Sequence, residues 1–133
     1  MTPRGVLLAV LVVVLIAGAY VLVFARGQGV ASQLPQFDVP GADTGAGKNA
    51  LAQMGCGSCH SVPGVANARG KVGPPLVDLA DRVYIAGRLP NTPENLALWI
   101  QHPQLVDPGN AMPDMGVSQQ DALNIAAFLY TVR

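Results

Sequence analysis

The chain has 133 residues, and its eight basic and eight acidic side chains give a formal net charge of zero. This balance excludes the strongly basic surface that nucleic-acid binding requires, so we expect no nucleic acid as a partner. Charged residues make up 12% of the chain and hydrophobic residues 50%, and a charged fraction about half that of a typical soluble domain indicates a membrane segment beside one small domain.

A membrane-spanning helix is the first predicted element. Residues 6–25 form an unbroken run without a charge or a proline. At about 1.5 Å of rise per residue, the run is about 30 Å long, which is the thickness of the hydrocarbon core of a bilayer. A cleavable signal peptide is the alternative, because residues 17–19 (Ala-Gly-Ala) resemble a cleavage site. The apolar run continues to Phe24, so we expect residues 1–25 to be retained as an anchor.

Residues 26–43 are predicted to form a flexible linker, because glycines and prolines interrupt every periodic pattern in them. A flexible chain of this length has an r.m.s. span of about 23 Å, so the following domain should stay near the membrane surface. Three apolar side chains of the linker can either dock on a neighbouring protein or pack loosely on the chain's own domain: Leu34, Phe37 and Val39.

Residues 44–133 are predicted to form one small helical domain. Apolar side chains recur at helical spacing in residues 44–54, in a segment that ends before Pro103, and in the C-terminal segment. No alternating run of apolar and polar residues predicts a strand. Each helix is preceded by residues that suit an N-cap: Asp43 or Thr44, Asn91 or Thr92, and Ser118.

Both cysteines of the chain lie in one motif, C-G-S-C-H, at residues 56–60. A C-x-x-C-H run is typical of covalent haem attachment: Cys56 and Cys59 add to the two vinyl groups of one porphyrin, and His60 becomes the proximal iron ligand. A zinc site would need four ligands, and His102 is the only further imidazole donor. A thioredoxin-like redox centre would need a βαβ setting, which is not predicted. The motif therefore predicts one haem c.

Further motifs follow in a specific order: G-P-P-L, L-P-N-T-P-E-N-L, W-I, P-G-N-A-M-P and a C-terminal A-A-F-L helix. With the C-G-S-C-H run, they resemble a class I cytochrome c, and most of all the haem domain fused to subunit II of caa3-type cytochrome oxidases. The resemblance covers residues 44–133. It implies an all-α class I cytochrome c fold around one covalently attached haem, preceded here by a single N-terminal transmembrane helix.

The resemblance implies that Met112 is the axial ligand opposite His60, so that these two residues bind the metal. Met112 follows a turn and precedes a proline, an extended geometry that lets a thioether reach the iron. Met115 and His102 are the alternative ligands. Met54 is interpreted as core filling, as most buried methionines are.

Four more residues are implied to contact the haem or its ligand. Pro74 would offer its carbonyl to the outer ring nitrogen of His60, which orients the imidazole. Leu76 would pack on the porphyrin. Arg82 would hold a haem propionate, and Trp99 would lie against the same edge, although one aromatic at helical spacing also suits a simple core position.

The same resemblance places Gly47 and Phe128 where the first and last helices of the domain cross, because glycine lets two backbones approach closely. The chain departs from the oxidase subunit in two respects. The thiolate and imidazole ligands of a dinuclear copper centre are absent from the sequence, and only one membrane span is predicted. We therefore expect a separate anchored cytochrome rather than subunit II itself.

The function that the resemblance implies is single-electron transfer in a respiratory chain, without enzyme activity of its own. The expected acceptor is a terminal oxidase, and the expected donor is a quinol-oxidising complex or another cytochrome. Thioether attachment is completed outside the bacterial cytoplasm, which implies a single-pass protein of the inner membrane with its haem domain on the periplasmic or external side. The alternative function is a haem-based ligand-binding sensor or a small peroxidase, if Met112 leaves the axial site open.

Overall fold

The computed structural model describes residues 3–31, 37 and 39–133. The chain divides into two compact units, with the boundary between Gln36 and Phe37. The described helices are α1 (Pro3–Ala31), α2 (Thr44–Gln53), α3 (Pro93–Gln101), α4 (Pro103–Val106) and α5 (Gln119–Thr131), with strands β1 (Tyr84–Ile85) and β2 (Leu89–Pro90) and two 3-10 turns, Cys56–Ser58 and Leu79–Asp81.

The first unit contains α1. Its segment Pro3–Phe24 is long and apolar enough to cross a membrane, and none of that span is buried. Within the described residues, no other helix meets the same criteria. Apolar side chains that face outward along a whole helix are typical of a segment that contacts lipid or acts as a signal sequence. The helix continues to Ala31, beyond the predicted span of residues 6–25.

The second unit begins at Phe37, before the predicted domain start at residue 44. The Phe37 ring stacks on Tyr130, with the ring centroids 4.1 Å apart and 12° between the planes. Val39 is buried, and the Asp43 amide donates a hydrogen bond of 2.9 Å to Asn124 Oδ1. Phe37 and Val39 therefore pack on their own domain, because burial there removes apolar surface from water. Leu34 lies outside the described residues.

The predicted caps explain where the helices of the domain start. Asp43 caps α2 by accepting hydrogen bonds from the amides of Gly45 and Ala46, at 2.7 and 2.9 Å. Thr92 caps α3 and Ser118 caps α5 in the same way. The structure thus selects Asp43 and Thr92 from the two alternatives predicted at each of those ends.

The core of the second unit forms where α2 and α3 pack against α5. Leu51 of α2 and Ile125 of α5 are almost wholly buried. Gly47 lies at the crossing of α2 and α5, where an added Cβ would be 1.9 Å from the Asn124 carbonyl oxygen. The predicted close approach of α2 and α5 is therefore present. On α5 it lies at Asn124, one helical turn before Phe128, and only glycine fits at position 47.

One short hairpin was not predicted. β1 pairs with β2 in antiparallel register, with Tyr84 opposite Pro90 and Ile85 opposite Leu89. Two-residue strands carry too few alternating positions to give a sequence signal. The single-turn helix α4 was also missed: Pro103 begins it one residue after the end of α3, and proline is well suited to a first helical position.

Candidate cofactor site

A cavity of about 350 Å³ opens in the second unit, within the range of about 300–1,000 Å³ that is typical of ligand and cofactor sites. Most of its lining is apolar, with core residues of α2, α3 and α5 at its back. All eight site residues that were predicted from the sequence line this one cavity: Cys56, Cys59, His60, Pro74, Leu76, Arg82, Trp99 and Met112.

The C-G-S-C-H motif forms one wall through a single tight turn. Gly55 ends α2 in the left-handed region, with φ +73°, and the 3-10 turn Cys56–Ser58 follows. The amides of Cys59 and His60 both donate to the Cys56 carbonyl oxygen, at 3.2 and 3.0 Å. Both thiols are half-buried and not joined in a disulfide. The turn therefore brings two thiols and one imidazole to the same wall.

The orientation of His60 is set by the G-P-P-L segment. His60 Nδ1 lies 2.7 Å from the Pro74 carbonyl oxygen, and because a carbonyl only accepts, Nδ1 carries the hydrogen. In a neutral ring, Nε2 then keeps its lone pair and can bind a metal. Gly73, for which no role was predicted, lies against the same ring: a Cβ there would be 2.2 Å from His60 Cε1. Its signal in the sequence was the glycine that opens G-P-P-L.

Gly70, for which the sequence predicted no role either, packs against the backbone of the C-G-S-C-H motif. Gly70 donates its amide hydrogen to the carbonyl oxygens of Gly57 and His60, at 3.0 and 3.2 Å. A Cβ on Gly70 would be 2.4 Å from the Ser58 carbonyl oxygen. The loop that follows the motif can therefore approach the motif this closely only with glycine at this position.

The thioether of Met112 is contributed by the loop between α4 and α5. Met112 is half-buried and lines the cavity. Met115 also lines the cavity and is 44% exposed. His102, the other alternative ligand, is exposed and is not among the lining residues. Met54 lines the cavity as well and packs against the core.

Arg82 connects the cavity wall to the segment that orients His60. Its Nη2 donates to the carbonyl oxygens of Pro75 and Val77, at 2.7 and 3.1 Å. Guanidinium has five N–H donors, so these bonds leave others for an anionic group. The predicted contact with a haem propionate is compatible with this geometry, and Arg82 also stabilises the loop itself.

Asn91, predicted only as one of two possible helix caps, braces the same wall. Its Nδ2 donates to the carbonyl oxygens of Leu79 and Arg82, both at 2.7 Å. Its Oδ1 accepts a hydrogen bond of 2.8 Å from the Tyr130 hydroxyl. Burial, and to a lesser degree Glu94, raises the pKa of Tyr130, so the hydroxyl stays protonated and keeps donating. This brace links α5 to the loop that ends at Arg82.

Leu76 and Trp99 complete the apolar lining. Both are half-buried and pack against the hydrophobic core. The Leu76 amide donates to the Ser61 carbonyl oxygen at 2.9 Å, which fixes the backbone after the two prolines. Trp99 lies on α3, lines the cavity and packs against the core. This position suits both a contact with the haem edge and a simple core residue.

The donor set fits a haem c better than the other uses of two cysteines. Burial raises the pKa of the Cys56 thiol, and Cys59 adds to that effect, whereas a reactive redox dithiol needs a lowered pKa. Among the residues that the structure describes, no three His, Cys, Asp or Glu side chains come together as a metal site. Two thiols, an imidazole and a thioether around an apolar cavity are the groups that haem c requires.

Comparison with known proteins relates part of the chain to a respiratory oxidase subunit. Over 88 residues, or 65% of the chain, it is 34% identical to cytochrome c oxidase subunit 2 of Alkalihalophilus pseudofirmus, and the match covers 25% of that protein. Over 65 residues, or 47% of the chain, it is 38% identical to cytochrome c oxidase subunit 2 of Bacillus sp. strain PS3, of which it covers 18%. The chain thus spans a quarter or less of the length of these curated relatives.

These matches confirm the predicted relation to oxidase subunit II. The narrower resemblance, to the haem domain and to class I cytochromes c, stays a prediction. No family model matches the chain, and no solved structure matches it significantly.

Proposed function

We propose that this chain is a membrane-anchored monohaem cytochrome c that carries single electrons to or within a terminal oxidase complex. The observation that carries the proposal is the convergence of the C-G-S-C-H wall and Met112 on one apolar cavity. The relation to cytochrome c oxidase subunit 2 supports the respiratory role. The α1 helix is compatible with a single-pass anchor. The proposed thioether attachment, which is completed outside the bacterial cytoplasm, is the reason to place the haem domain on the periplasmic or external side of the inner membrane.

Each residue of the site has a defined part in this proposal. Cys56 and Cys59 would hold the haem by thioether bonds, and His60 and Met112 would be the two axial ligands. The bound haem would supply one iron that gains and loses single electrons. The Pro74 carbonyl keeps the His60 ring in one orientation. Around a bound haem the apolar lining would keep water away and, together with the thioether, would raise the reduction potential.

Replacing Met112 with Ala should distinguish an electron carrier from the alternative function, a ligand-binding sensor or peroxidase. We expect the haem to stay attached, because both cysteines remain. The ferric protein should lose the weak thioether absorption band at the red end of its spectrum, and the reduced protein should bind carbon monoxide, because one axial position is open.

Met115→Ala is the matched control, since Met115 lines the same cavity. It should keep the band and exclude carbon monoxide. An unchanged spectrum in the Met112→Ala protein, or loss of the band in the Met115→Ala protein, would contradict the assignment of Met112. Carbon monoxide binding by the unaltered protein would favour the sensor or peroxidase.

The respiratory role predicts that electron transfer to the native oxidase depends only weakly on ionic strength. Residues 44–133 contain six basic and six acidic side chains, and two of the acidic ones form ion pairs, Arg88–Asp107 and Arg133–Asp81. A carrier without a strongly charged surface has little electrostatic steering for salt to screen. Tethering to the same membrane would instead raise the local concentration of the domain.

The measurement is oxygen consumption by membranes from cells with and without the chain, at low and at high salt. A tag on the chain should also isolate an oxidase in mild detergent. Unimpaired oxygen consumption after deletion would contradict the role, as would a steep loss of rate with salt.

A further inference from the structure

The segment that carries Met112 is organised by two side-chain amides. Gln104, on α4, donates from Nε2 to the carbonyl oxygens of Met112 and Asn110, at 2.7 and 2.9 Å. Its Oε1 accepts from the Gly109 amide at 3.1 Å. Gln104 is half-buried and follows Pro103, which is almost wholly buried, so its donors extend from a point anchored in the core.

Asn110 binds the other polar backbone group of Met112, its N–H. Its Oδ1 accepts a hydrogen bond of 2.7 Å from the Met112 amide. Its Nδ2 donates to the carbonyl oxygens of Pro103 and Asp107, at 2.9 and 2.6 Å. The N–H of Met112 is therefore held by one amide and its C=O by the other, and both amides are linked to the start and end of α4.

The backbone of Met112 is not held by a helix or a strand. Residues 110–117 lie between α4 and α5 outside any helix or strand, and within the described part of the chain no hydrogen bond joins the Met112 backbone to another backbone group. Met112 and Met115 line the same cavity. An unsupported loop could exchange one thioether for the other, since the two residues are only three positions apart.

We infer that Gln104 and Asn110 are positioning residues that hold Met112, rather than Met115, as the thioether ligand of the site. The inference rests on the proposed function, in which Met112 binds the iron. The two amides act through the backbone: they fix both polar groups of Met112, so the side chain leaves the chain at one place and in one direction. Loss of a donor should increase the time that the thioether spends away from its position.

The test replaces Gln104 with Ala and measures the affinity of the ferric protein for added imidazole, which competes with the thioether. Three side-chain hydrogen bonds to the loop are lost, at Gly109, Asn110 and Met112, so imidazole should bind about 10-fold more tightly. Gln104→Glu is the second variant, because it keeps the size and the acceptor for Gly109 but cannot donate to the Met112 carbonyl when ionised. We expect it to behave as Gln104→Ala does.

Gln101→Ala is the matched control. Gln101 donates one side-chain bond of 3.2 Å to the Val117 carbonyl oxygen, at the far end of the same loop, and makes no bond to Met112. It should lower thermal stability by the loss of this one hydrogen bond while leaving imidazole affinity unchanged. The same measurements in a Met115→Leu background exclude replacement by that thioether.

Equal imidazole affinity in the Gln104→Ala, Gln101→Ala and unaltered proteins would overturn the inference, as would wild-type affinity in the Gln104→Glu protein. The proposed function fails by a different result, an unchanged ferric spectrum in the Met112→Ala protein. A Met112→Ala effect without a Gln104 effect would leave the cytochrome proposal standing and remove only the role of the amides.

Discussion

Replacing Gly47 with Ala is expected to destabilise the second unit by about 3 kcal/mol or more, because the added Cβ would overpack the helix crossing. The Cβ would lie 1.9 Å from the Asn124 oxygen and 2.9 Å from the Ile125 nitrogen. Both atoms belong to the backbone of α5, so no side chain can rotate away and the two helices must separate. The free energy of unfolding, measured by circular dichroism in denaturant, should fall accordingly.

Gly45→Ala is the matched control in the same helix. A Cβ at Gly45 would be 3.2 Å from Asp43 Oδ1, a side-chain atom that can move slightly. Alanine also has a higher helix propensity than glycine, by about 1 kcal/mol. Gly45→Ala should therefore be neutral or stabilising. Equal denaturation midpoints for the Gly45→Ala and Gly47→Ala proteins would show that the crossing is looser than the structure indicates.

Replacing Gly73 with Ala should displace His60 and so remove its coordination in the proposed haem site. The backbone at Gly73 is not in the left-handed region, so alanine is excluded there by space alone. Three atoms of the His60 ring would lie 2.2 to 2.7 Å from the new Cβ. The ring would have to turn and break its hydrogen bond to the Pro74 carbonyl.

The Gly73→Ala protein should keep its haem on denaturing gels, because the cysteines are unchanged, but should lose the spectrum of a haem with two strong axial ligands. Pro74→Ala is the matched control, because it changes the adjacent residue while preserving the carbonyl that accepts from His60. A Gly73→Ala protein with the unaltered spectrum would contradict the tight contact between this glycine and the imidazole.

The features that the sequence predicted best are those in which neighbouring residues carry the whole signal. An N-cap at Asp43 or Ser118 depends on hydrogen bonds to amides two or three residues away. The C-G-S-C-H motif brings its thiols and imidazole together within one turn of chain. A run of apolar residues as long as residues 6–25 needs no partner to be recognised as a possible span.

Contacts between distant residues were decided only by the tertiary structure. Nothing in the sequence pairs Phe37 with Tyr130, whose rings stack in the structure, or indicates that the second compact unit begins at Phe37. Tyr130 and Asn91 are 39 positions apart, and their hydrogen bond leaves no periodic signal.

The side-chain amides around Met112 show that contacts between residues close in sequence can also be missed from the sequence. Gln104 and Asn110 are polar residues beside a turn, a pattern that by itself indicates only a solvated loop. They become positioning groups because Pro103 is buried and α4 brings their amides against the Met112 backbone. The sequence predicted the two thiols and the imidazole of the site, and it left Met112, Met115 and His102 as alternatives for the second ligand. The tertiary structure decided which groups hold them in place, because hydrogen-bond partners depend on distances that only packing sets.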